Sequence, residues 1–459
     1  MSANFPENGG IFLAPEATVP EQLSAYSHPT VHLGTADLIS SSELGAKTAP
    51  WEVFPGEHFP LDSEKFAADP HRVYAEMRRR HGSLVPVELT QGVPATLVTG
   101  YYAALRVLND PDRFPADPRE WERSLPAECP IRPMTEWRPN AIRSAGSDHA
   151  RYRSAIGSAL DRLDLHQLRS TVEEISVSLI NSICHVGTCD VVAEYALPVA
   201  FGTLNAMLGC PHEIAEEVGA GLAAIFDTVD AEAGNRRLEA ALLKLARIKR
   251  ADPGADVTSW LIQHPAELDD NEIMHQLVLL FAAGIEPPLN LIANTLLLIM
   301  TREQFAGHVM DGSISTQEAL DEVLFNDPPL ANYCLTYPTQ PVLVDDVWLP
   351  PHQPVLISIT ACNNDPAIRT RGVTDNRSHL AFSTGPHACP ARTAAEMIVI
   401  EALDQLLDAI PEVELGVEQG GLQWRPGPFH RSLESLPVRF PPSPPIHLRA
   451  RSTSNQDRS

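Results

Sequence analysis

The chain has 459 residues, with 59 acidic and 34 basic side chains and a formal charge of -25 at pH 7. That excess of negative charge argues against nucleic acid as a partner and keeps the surface soluble, but it says nothing about fold. The length allows more than one domain, and 44% hydrophobic with 20% charged residues is an ordinary globular balance. The cysteines, Cys129, Cys184, Cys189, Cys210, Cys334, Cys362 and Cys389, are odd in number and scattered. No C-x-x-C pair occurs, so a zinc site is disfavoured, and a reducing cytoplasm is the default compartment.

Residues 1–50 are rich in Ser, Pro, Glu and Gly without a sustained period, and read as a flexible N-terminal extension or a loop wrapped on the body. Met1–Val19 is mixed polar, with Pro6, Glu7 and Pro15, so no signal peptide or membrane anchor is expected there. Pro70–His81 predicts a short helix, and Leu84–Glu88 with Pro94–Thr99 a hairpin of a small sheet. Ser147 opens a long helical region in which His149 and Arg153, four apart, share one face. Taken alone, that pair is more often a solvated surface pair than a site. Leu160–Cys184 continues as amphipathic helix, Glu194–Leu208 and Glu213–Val229 read the same way, and Lys244–Pro253 is a polar helix end. No internal repeat is evident.

Glu272–Met300 is the most apolar stretch, but Glu286-Pro287-Pro288-Leu289-Asn290 interrupts it, which favours a buried, kinked helix over a membrane span. Pro341–Leu349 and Pro354–Thr360 alternate or run apolar, as in strands of a small sheet. Between them and the tail lies Phe382-Ser-Thr-Gly-Pro-His-Ala-Cys389, a Gly/Pro loop that presents one cysteine before an amphipathic helix spanning Ala391–Ile410. A helix N-terminus favours a thiolate, and Pro390 suits a first helical turn. Gly385 and Ala388 leave little side-chain bulk beside the sulfur. After Phe440 the chain is rich in Pro, Ser and Arg, and residues 441–459 are expected to form a disordered tail.

The cysteine loop resembles the haem-binding signature F-G-x-G-x-H-x-C-x-G of the cytochrome P450 family, with Phe382, Gly385, His387 and Cys389 matching. A lone cysteine after a loop is more often a buried apolar residue, but four positions matched at this spacing favour haem. The resemblance covers about residues 51–440. It implies a single haem-binding domain of the mainly helical P450 fold, a large helical body with a small antiparallel β-rich lobe. By the same resemblance Cys389 would be the axial iron ligand of haem b, Phe382 would shield it, and His149, Arg153 and His387 would hold the two propionates. Ala283-Gly284-Ile-Glu286 matches the central-helix motif [AG]-G-x-[DE]-T, so Ala283 and Gly284 would border the oxygen site and Glu286 would be a proton donor or relay.

The chain departs from the pattern at several positions. Ser383 and Ala391 replace signature glycines, and both are small enough to preserve access to a haem. Pro287 stands where the family has a threonine whose hydroxyl helps deliver protons to oxygen. Proline has no hydroxyl and no N–H, so the carbonyls of Ala283 and Gly284 lose their helical partners to Pro287 and Pro288 and should bind water or substrate. Glu322 matches the E-x-x-R helix, but Phe325 replaces its arginine, leaving Arg371 or Arg377 as substitutes. Pro341 lies near the place of an arginine that often serves a propionate.

The implied function is haem-thiolate monooxygenation of a small hydrophobic organic molecule by a cytoplasmic bacterial-type enzyme, with electrons from a ferredoxin and its ferredoxin reductase. The lost threonine and arginine motivate two alternatives: a haem-thiolate protein of binding, sensing or assembly that does not hydroxylate, and an enzyme driven by peroxide or assisted by a substrate hydroxyl.

Overall fold

A computed structural model describes residues 58–126, 128–226, 231–305, 314–368 and 377–446. The expected N-terminal extension, Arg371 and residues 447–459 of the expected tail lie outside them. Most of the described chain is helical. Helix α1 spans Pro70–His81, capped by Asp69, whose carboxylate accepts the Arg72 N–H at 3.1 Å, with Pro70 where no amide hydrogen is needed. Helix α2 (Tyr101–Leu108) follows, then α3 (Gly146–Leu160) and α4 (Leu165–Ile183). The continuous helix expected through Leu160 is broken, because Asp164 accepts from the His166 and Gln167 N–H groups and starts α4 afresh.

A π-turn over Val192–Ala196 leads into α5 (Leu197–Met207), and α6 (His212–Phe226) packs on α7 (Ala231–Ala251). The central helix α8 (Asp270–Thr301) begins with a reciprocal capping box. The Glu272 N–H donates to Asp269 and the Asp269 N–H returns to Glu272, at 2.8 and 3.0 Å. It is long and apolar enough to cross a membrane, yet most of its apolar window is buried. Ile273, Leu277, Phe281, Ile292 and Leu296 are fully enclosed in a core shared with α5, α7, α9 (Thr316–Asn326) and α10 (Arg392–Ala409). Pro287 and Pro288 lie inside α8 without ending it, because burial of both flanking turns outweighs two lost backbone bonds.

The smaller lobe is strand-rich, as expected, but its main sheet is mixed. Strands β1 (Phe59–Pro60), β2 (Leu84–Thr90) and β3 (Val93–Val98) are joined by the distant β5 (Asn332–Thr336) and β8 (Val355–Ser358), in the order β1-β2-β3-β8-β5. The β2–β3 hairpin and β5–β8 are antiparallel, whereas β1–β2 and β3–β8 are parallel. The helical body is the crossover between β3 and β8, long enough to permit parallel pairing. Two smaller sheets are antiparallel: β4 (Thr188–Asp190) with β9 (Glu414–Leu415) and β10 (Pro437–Arg439), and the hairpin β6 (Val342–Val344) with β7 (Val347–Leu349). Pro341 is exposed just before β6. Residues 441–446 lie along the end of α4, where the Ser443 N–H donates to Cys184 O and Ile446 N–H to Asn181, at 2.9 and 2.8 Å.

Candidate functional site

The loop from Phe382 to Cys389 closes on itself through its backbone. The Cys389 N–H donates to Phe382 O at 2.8 Å, the Ala388 N–H to Gly385 O at 3.0 Å, and the Ser383 N–H to Leu380 O at 2.8 Å. Gly385 has φ +73, and a Cβ there would sit 3.1 Å from the Leu108 carbonyl carbon and closer still to its oxygen, at the end of α2. Glycine is therefore required by conformation and by contact. Ser383 keeps the glycine conformation of the signature, with φ +58. Its small size does not remove the cost, since the left-handed region disfavours any L residue by about 1–2 kcal/mol. Its hydroxyl accepts a weak bond from Cys334 Sγ at 3.4 Å, and Cys334 itself has φ +54.

Helix α10 begins at Arg392, so Pro390 and Ala391 lie in the turn before it rather than in its first turn. Cys389 is solvent-accessible, yet the protein around it pushes its thiol up. The Ala391 backbone N–H, Arg153 and Arg392 act in the opposite direction without overcoming burial. A metal bound to this sulfur would deprotonate it outright. The Arg392 guanidinium lies 5.2 Å over the half-buried Phe382 ring. Among the described residues no group of three or more His, Cys, Asp or Glu side chains could hold a metal ion.

His149 and Arg153 both project from α3 toward this loop. The His149 and His387 rings stack with centroids 4.0 Å apart, and Arg153 donates to the Ala388 carbonyl. Burial lowers the pKa of both histidines, that of His387 to about 4, with Arg153 acting in the same direction. His149 Nε2 is buried without a partner, and burial lowers the Arg153 pKa. No carboxylate pairs with Arg153 among the described residues. An unpaired guanidinium and an orphaned ring nitrogen beside one accessible thiol fit an anionic cofactor ligated by sulfur.

On α8, Ala282 and Ala283 are exposed, while Gly284 is turned to α5, where a Cβ would lie 3.0 Å from Leu204 Cδ1. Glu286 forms an ion pair with Arg425 and accepts from Asn290 Nδ2 at 3.3 Å. The carboxylate expected to donate or relay a proton is thus held on two sides. Arg425 lies 139 positions away in the chain, and no spacing could have paired the two.

No family model matches the chain. It is 28% identical over 397 residues to the cytochrome P450 monooxygenase PikC of Streptomyces venezuelae, covering 82% of this chain and 92% of that one. It is also 28% identical over 402 residues to the 6-deoxyerythronolide B hydroxylase of Saccharopolyspora erythraea, covering 83% and 98%. The solved structure of CYP154C4 from Streptomyces sp. W2061 superposes with a TM-score of 0.75 at 26% identity, over 83% of this chain and 97% of that one. The chain belongs to the cytochrome P450 family. Its cofactor is haem b, and it is a haem-thiolate monooxygenase.

Within this P450 the region of the missing E-x-x-R arginine is rebuilt. Glu322 pairs at 3.0 Å with Arg302 at the surface, and Arg377 pairs instead with Asp321 at 2.7 Å. The link between α9 and the cysteine loop is made by Asn363, which is fully buried. Its amide donates to Leu324 O and Phe325 O at 3.2 and 3.0 Å and accepts the Leu380 N–H at 2.8 Å. Phe325 thus contributes its carbonyl where the family has a charged side chain. No local sequence signal marks this role, because the partners of Asn363 lie 38 and 17 positions away in the chain.

Proposed function

We propose that this P450 oxygenates a small hydrophobic organic molecule in the cytoplasm, receiving electrons from a ferredoxin served by a ferredoxin reductase, and that residues 51–440 act as one haem-binding domain. The observation that carries the site assignment is the meeting of the Cys389 loop with His149, Arg153 and His387. Cys389 would ligate the haem iron and Phe382 would cover the sulfur; the bound haem would supply the chemistry of oxygen activation. Arg153, His149 and His387 would receive the propionates, which offer Arg153 a carboxylate partner and the buried His149 Nε2 a hydrogen-bond partner. Gly385 would keep the loop against α2. Ala283 would border the oxygen site, Gly284 would let α5 pack closely there, and the carbonyls freed by Pro287 and Pro288 would hold water. Glu286 would hold or pass a proton at its carboxylate.

Reduction of the ferric protein by a reduced [2Fe–2S] ferredoxin under carbon monoxide tests the electron route. Reduction that slows with rising salt is expected; reduction by dithionite alone would overturn the ferredoxin reading. A second reading is favoured by Pro287, which supplies no hydroxyl: peroxide as the oxidant. It predicts product from hydrogen peroxide and none from the ferredoxin system.

A further inference from the structure

Four side chains form a closed polar ring where the two prolines break the hydrogen bonding of α8. Glu286 is paired with Arg425; Arg425 Nε donates to Ser432 Oγ at 2.9 Å; Ser432 donates to Asn290 Oδ1 at 2.8 Å; and Asn290 Nδ2 returns to Glu286 at 3.3 Å. Glu286 and Asn290 sit one turn apart on α8, flanking Pro287 and Pro288. Arg425 and Ser432 come from the C-terminal loop, where Trp424 bridges to Leu433 and fixes their separation. Asn290 and Ser432 are almost fully buried, the Glu286 side chain is 12% exposed and that of Arg425 40%. The ring therefore joins a buried helix break to solvent through one cation.

We propose that Arg425, held by Ser432, is a positioning residue for proton supply, fixing the Glu286 carboxylate beside the helix segment that lacks a hydroxyl. This rests on the monooxygenase reading. Oxygenation by dioxygen consumes two electrons and two protons with each substrate hydroxylated and each water released, whereas oxygenation by hydrogen peroxide needs no added electrons or protons. Likewise, without an organic substrate, dioxygen takes two electrons and two protons to leave as hydrogen peroxide, or four of each to leave as two waters. Poor proton positioning shows as a larger peroxide share.

The experiment uses the haem-loaded protein with reduced ferredoxin and measures the peroxide formed per dioxygen consumed. Arg425→Gln and Glu286→Gln should each raise the peroxide share at least threefold, Ser432→Ala less, and Arg425→Lys should recover part of the loss. Thermal unfolding of the single variants and of the Glu286→Gln/Arg425→Gln double variant supplies a readout independent of turnover. The two changes should be non-additive, the double variant losing less than the singles combined. Should Arg425→Gln fold poorly, Ser432→Ala and the neutral double variant carry the test. An unchanged peroxide share in folded variants, or additive effects on unfolding, would overturn the proposal. Failure of the unaltered protein to consume dioxygen with reduced ferredoxin would instead overturn the monooxygenase reading, and the proposal with it.

Discussion

Gly385→Ala isolates how the loop fixes the sulfur. Two separate penalties meet at this residue. The φ of +73 costs an L residue about 1–2 kcal/mol. The new methyl would also overlap the Leu108 carbonyl, with Asn109 Oδ1 only 3.1 Å away, and backbone at a helix end does not yield as a side-chain tip would. Overpacking of this kind costs roughly 1–3 kcal/mol, so the whole effect is roughly 2–5 kcal/mol. Gly92→Ala is the control, since it shares a positive φ of +77 but meets nothing within 4 Å. Urea unfolding followed by haem absorbance, with the thiolate fraction read from the reduced carbon monoxide complex, measures both variants. Gly385→Ala should lose at least about 1 kcal/mol more than Gly92→Ala and should lower the thiolate fraction, which Gly92→Ala leaves intact. Equal losses would refute the claim that α2 braces the loop.

Ser383→Gly should stabilise by up to about 1 kcal/mol, because relief of the left-handed serine exceeds the added freedom of glycine in the unfolded chain; a clear loss in denaturant unfolding would show that the Cys334 contact matters more than strain. Asn363→Ala should cost about 2–4 kcal/mol by leaving buried carbonyls and the Leu380 N–H unpaired, whereas Glu322→Ala, which breaks only a surface ion pair, should cost less than about 1 kcal/mol; unfolding midpoints of the two variants decide this. Burial holds His379 down to about 4, helped by Arg392 and Arg377 and opposed by Asp321. The unfolded ring, near 6.5, takes up its proton first, so stability is full above pH 6.5, falls as pH drops toward 4 and loses nothing further from this group below that, up to about 3 kcal/mol in all. His379→Asn, which can still accept the Ala381 N–H, should flatten the melting temperature across that window; an unchanged slope would remove His379 from the account.

Local signals made much of this fold legible. The start of α1 follows from Asp69 and Pro70, α8 from its capping box and apolar run, and the β2–β3 hairpin from its turn residues. The break between α3 and α4 was readable in principle from Asp164, a cap hidden inside a continuous amphipathic pattern. The cysteine loop was legible because its glycine, histidine and cysteine are constrained at fixed spacing. What escaped depends on tertiary partners far apart in the chain: Arg425 for Glu286, Arg302 for Glu322, and the Asn363 amide in place of an ion-pair network. The strain at Ser383 escaped for another reason, since side-chain size was legible and backbone conformation was not.

The most direct test of the central claim is the carbon monoxide difference spectrum of the dithionite-reduced protein, alongside Cys389→Ser. The account predicts the strongly red-shifted Soret band of thiolate ligation in the unaltered protein and its loss in the variant. A band typical of neutral or histidine ligation, or the absence of haem, would contradict it.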